Sequence, residues 1–106
     1  MKYIRTKDKN NLIIDLTNML LPYNLTDEYI DFNKFGMFKI VKQADTIKEL
    51  CDEFVVVREN GEPMIVSLEL AKEYAKCSIT TYGAIWTDKG LIYVAKMNEK
   101  GELELL

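Results

Sequence analysis

The chain has no histidine among its 106 residues. That removes the side chain most often used as a general acid or base near neutral pH, the usual proton shuttle and the commonest metal ligand. Cysteine is scarce: Cys51 and Cys77 are the two present, too few for a disulfide framework. Both lie in segments whose spacing predicts helix, which fits buried thiols in a reducing compartment better than a bridge. No apolar run approaches the roughly 18 residues that a membrane-spanning helix needs. The start, MKYIRTKDKN, is charged but has no apolar core behind it, so no signal peptide is expected. A cytoplasmic location is the resulting expectation. Glycine-rich phosphate loops, Cys/His ligand sets and nucleophile motifs are missing as well. The five glycines are isolated and fit turns.

What is present is ordinary globular composition, 48% hydrophobic and 29% charged, at a length that predicts a single domain over residues 1–106. The net charge of −3 argues against sequence-independent nucleic-acid binding, in which Lys and Arg must neutralise phosphates. A basic cluster of Lys2, Arg5, Lys7 and Lys9 against Asp8 is the alternative: an N-terminal hairpin touching an anionic partner. Lysines of this kind also serve to protect an edge strand.

The clearest local signal is Tyr82 to Leu106. Three apolar runs are separated by Asp88-Lys89-Gly90 and by Asn98-Glu99-Lys100-Gly101, polar loops ending in glycine, which predict a three-strand antiparallel meander. Runs at 2–6 and 11–16 predict a hairpin, and the alternation in Met37–Lys42 predicts a strand. Thr46 with Glu49 reads as a capping box, followed by Ile47, Leu50, Cys51 and Phe54 on one helical stripe. Phe54 to Arg58 and Met64 to Val66 flank Asn60-Gly61, the pattern of a two-residue hairpin. In that register Glu59 faces Glu62 and Pro63 opposes Arg58, so the returning strand should be an edge. Ser67 should cap a second helix with Leu70, Ala71, Tyr74, Ala75 and Cys77 inside. Together these predict an α+β fold: a mainly antiparallel sheet of six to seven strands with two helices packed on one face.

Residues 17–36 are harder to read. Tyr23, Tyr29, Phe32, Phe35 and Phe38 crowd into this stretch and its end. Tyr29, Phe32 and Phe35 fit one face of a helical turn after Thr26, and Tyr29 to Phe32 equally fits a strand. The rings either fill the core or form an exposed interface, since aromatic side chains give large contact area at low entropic cost.

Three blocks, KYIRTKD at 2–8, KQADTIKELCDEFVVV at 42–57 and YGAIWTDKGLIYVAKMNEKGELELL at 82–106, resemble a family of small prophage and mobile-element proteins of low-GC Gram-positive bacteria. The resemblance implies a bacterial, intracellular accessory protein. It carries over no catalytic or binding residue, since none is assigned in that family.

The carboxylates do not form a convincing site. Asp52 adjoins Glu53, and Glu69 and Glu73 are one helical turn apart, but Lys72 and Lys76 interleave with the second pair, as on a solvated face. The expectation is therefore a non-enzymatic protein with no catalytic residue, cofactor or metal. It should act through a protein partner, a second copy included, with Tyr23, Tyr29, Phe32 and Phe35 as interaction residues. Nucleic acid is the less favoured partner, and no membrane is expected.

Overall fold

The computed structural model describes residues 3–7, 12–17, 19, 23–32 and 36–106. Within them the chain forms ten strands, one α-helix and one short 3₁₀ turn. It groups into two compact units, Met1–Leu50 and Cys51–Leu106, and each is built on its own five-stranded antiparallel sheet. This corrects the expected single sheet of six to seven strands under two helices.

The first unit contains β1 (Tyr3–Thr6), β2 (Ile13–Asp15), β3 (Asn24–Leu25), β4 (Tyr29–Asp31) and β5 (Met37–Ala44), in the order β2-β1-β5-β4-β3. The expected N-terminal hairpin is β1 against β2, with Ile4 opposite Ile14. The segment around Thr26 is a hairpin rather than a helical turn. Thr26 N–H donates to Tyr29 O at 2.9 Å, and Thr26 Oγ1 accepts from Tyr29 N–H at 3.0 Å, so the threonine closes a tight turn between β3 and β4. Side chains then alternate with period two. Ile30 and Phe32 point into the core with Ile4, Leu16 and Ile40, while Tyr29 points out.

The expected helix after Thr46 is absent, although the glutamate half of its capping box forms. Glu49 Oε2 accepts from Thr46 N–H at 3.2 Å and from Thr46 Oγ1 at 2.9 Å. The turn so started is a single 3₁₀ turn, Lys48–Leu50. Two cations from paired strand positions hold its carbonyl end: Arg5 Nη1 donates to Leu50 O at 3.4 Å and Lys42 Nζ to Glu49 O at 2.6 Å. Two helical turns are marginal by themselves, and the β-branched run Val55-Val56-Val57 favours a strand. Phe54, assigned to the helical stripe, accordingly lies in β6 (Glu53–Val57).

The second unit continues with β7 (Met64–Val66), α1 (Leu68–Lys76), β8 (Thr80–Thr87), β9 (Gly90–Met97) and β10 (Leu103–Leu105), in the order β10-β9-β8-β6-β7. The C-terminal meander forms as expected, with Gly90 at φ +106° and Gly101 at φ +81° closing its two loops. The Asn60-Gly61 hairpin does not follow the two-residue register. Gly61 N–H donates to Arg58 O at 3.2 Å and its φ is not positive, so Gly61 ends a four-residue turn. Val55 pairs with Ile65 instead of Val66. That one-residue slip moves every β7 side chain to the other face. Ile65 leaves the helix side, and Val66 joins it.

Ser67 Oγ accepts from Leu70 N–H at 3.2 Å and caps α1. Ala71 and Ala75 are buried against Met97, with Leu68, Phe54, Val66 and Leu103 around them, so the inner stripe starts from Leu68. Leu70 and Cys77, both expected inside, are exposed. Ser78 ends the helix at φ +60°. Ser78 N–H donates to Ala75 O at 3.0 Å and Ile79 N–H to Tyr74 O at 3.1 Å, which is a Schellman termination with serine where glycine is preferred. Ser78→Gly should therefore raise the stability of this unit by roughly 0.5–1 kcal/mol, read as a higher urea midpoint. No change or a loss would mean that the Ser78 Oγ donation to Glu99 Oε1 at 2.9 Å outweighs the backbone strain.

Candidate interaction surface

The structure separates the aromatic residues expected to act together. Phe32 is a core residue at 5% exposure. Its ring lies 6.2 Å from that of Tyr23 and 5.6 Å from that of Phe38, edge-on. Tyr23 is partly buried against the same cluster. Tyr29 is 40% exposed on the opposite side of β4, and Phe35 lies outside the described residues. Tyr23 and Phe32 thus belong to the interior of the first unit, and Tyr29 alone of the described three presents its ring to solvent. Steps of three would have gathered them on a helix; the period-two strand divides them.

The basic cluster is also divided. Arg5 is half-buried and donates to the Leu50 carbonyl, whereas Lys7 is exposed and Lys2 and Lys9 lie outside the described residues. Glu69 and Glu73 stand on the outer side of α1, with Glu73 3.5 Å from Lys76. Asp52 serves the backbone: its carboxylate accepts Trp86 N–H at 2.8 Å, while its own N–H donates to Ala84 O at 2.8 Å. The aspartate thereby extends the pairing of β8 beyond the end of β6. Beside the 58–61 turn lies an open hollow of about 1030 Å³ that includes Arg58, Asn60, Cys77 and Thr80. Arg58 is engaged at its rim, stacked 5.1 Å from the Tyr74 ring centre and donating to Tyr74 Oη at 2.6 Å. Among the described residues no three Cys, Asp or Glu side chains gather as metal ligands, and no helix is long and apolar enough to cross a membrane.

The surface feature with recognisable chemistry is an edge. Each sheet ends in two edge strands, and three of the four carry a polar device: Asp15 in β2, Asn24 in β3 and Glu104 in β10. The fourth, β7, reads Met64-Ile65-Val66. Met64 is 40% and Ile65 52% exposed, and they project to opposite faces of the sheet. Edge strands normally carry charge because their unpaired N–H and C=O groups invite a further strand. Pro63, just before β7, was the sequence signal for an edge here. Its apolar exposure follows from the slipped register, which sends Ile65 away from the helix, and no sequence pattern announced that. Compared with known proteins, the chain matches no family model, no curated protein and no solved structure.

Proposed function

We propose that this chain is a non-enzymatic interaction module that docks an extended segment of a protein partner along β7. The observation that carries this reading is the uncharged, half-exposed Met64-Ile65-Val66 edge, beside three edges that are polar. Strand addition gains affinity from main-chain hydrogen bonds and selectivity from alternate side chains. Here an incoming strand meets Ile65 on one face and Met64 on the other. The resemblance of its three sequence blocks to prophage proteins supports an accessory role inside a bacterial cell.

Selection from a displayed library of short peptides tests this. Ligands should be extended, with apolar residues alternating, and Ile65→Lys should weaken them at least about tenfold, or about 1.4 kcal/mol. Selected peptides that bind Ile65→Lys as well as the original chain would contradict the reading.

A further inference from the structure

Resting on the β7 docking reading, we infer that the strand received by this edge is β7 of a second copy, so that two chains join in one continuous sheet through a two-fold axis at Ile65. The residues are self-complementary in that arrangement. Antiparallel pairing centred on Ile65 sets Ile65 against its own copy, Met64 against Val66 and Pro63 against Ser67. Residues 63–67 contain no charge. Glu62 lies beyond the end of the ladder, because its counterpart Leu68 already belongs to α1, so no like charge is paired with it.

The competing arrangement is head to tail, with β7 of one chain on β10 of the next. It sets the uncharged edge against Glu104 and leaves both outer ends open, giving a chain of copies. A two-fold contact closes on itself.

A three-residue ladder with these few apolar side chains is small against the roughly 1,600 Å² of a standard interface. The dimer is therefore weak and grows with concentration.

Sedimentation equilibrium of the full chain from micromolar to millimolar concentration tests the inference. It is run beside Ile65→Lys and a control, Met37→Lys, at an exposed position in the first unit. The expected result is a reversible monomer–dimer equilibrium for the original chain and the control. Ile65→Lys should be monomeric, with unchanged far-ultraviolet circular dichroism showing that it still folds. A monomeric original chain at every concentration, dimerisation of Ile65→Lys equal to the original, or open-ended growth beyond the dimer would each overturn self-pairing. A fluorescent peptide of residues 62–68 separates this inference from the broader one. If it binds the monomeric original chain and not Ile65→Lys, self-pairing of folded copies fails while β7 remains a docking edge. If neither dimer nor peptide binding is found, self-pairing fails, and the docking reading is then decided by the displayed-library selection alone.

Discussion

Replacing Phe32 with alanine should lower the stability of the first unit by about 3–5 kcal/mol. The ring is nearly solvent-free, lies between Tyr23 and Phe38, and shares its cluster with Ile4, Ile30 and Ile40. Its removal loses the transfer free energy of the ring and the contacts of both neighbouring aromatics, and a small core cannot collapse fully around the space left behind. Tyr29→Ala, one strand face away, should stay within about 0.5 kcal/mol. Amide exchange at Ile30 and Ile40 separates the two outcomes, since it reports the opening free energy of the strands that hold the cluster. Comparable exchange in both variants would mean that Phe32 is not an interior residue.

Gly83→Ala should destabilise the second unit by about 1–3 kcal/mol, an unusual cost for adding one methyl group to a strand. A Cβ at Gly83 would lie 2.7 Å from Cys51 Sγ and 3.4 Å from a Leu103 methyl. The second contact is tolerable, but the first lies well inside van der Waals range. The sulfur is close to the backbone of a central strand that is paired on both sides, with Phe54 and with Ala95, so neither partner can move far. In a Cys51→Ala background the same change should become neutral or favourable. The obstruction is then gone, and glycine within a strand carries a conformational-entropy penalty of roughly 0.5–1 kcal/mol relative to alanine. A double-mutant cycle by urea unfolding should therefore show a coupling of at least about 1 kcal/mol. Additive effects would contradict the close approach. Cys51 is thus a packing residue at this contact, though it sits between the 3₁₀ turn and β6 and not on a helix.

The legible parts of the sequence were those in which local chemistry and tertiary pairing agree. Gly90 and Gly101 demand positive φ, and their loops fix the meander. Ser67 offers its oxygen to the first turn of α1, and the helix begins there. Local signals misled where they were satisfied on a smaller scale than expected. Glu49 does reach back to the Thr46 N–H, but three consecutive valines and the backbone bonds of Asp52 draw the chain into β6 after one turn. Asn60-Gly61 does mark a turn, yet four residues take part, and the slip reverses the faces of β7. The aromatic segment was ambiguous between periods of three and two. Only the pairing of β4 with β5, Ile30 opposite Phe38, resolved it, and that partner lies in a different strand. The same non-local pairing decides the candidate surface. The edge character of β7 was readable from Pro63, whereas the exposure of Ile65 depends on a register set by the turn.

The central claim is that the open β7 edge receives β7 of a second copy. Hydrogen exchange of the Met64–Val66 amides, followed by mass spectrometry at low and high protein concentration, tests it most directly. Exchange there should slow as concentration rises, while the Leu103–Leu105 edge exchanges at a constant rate. Equal rates for Met64–Val66 at both concentrations, or equal slowing at both edges, would contradict it.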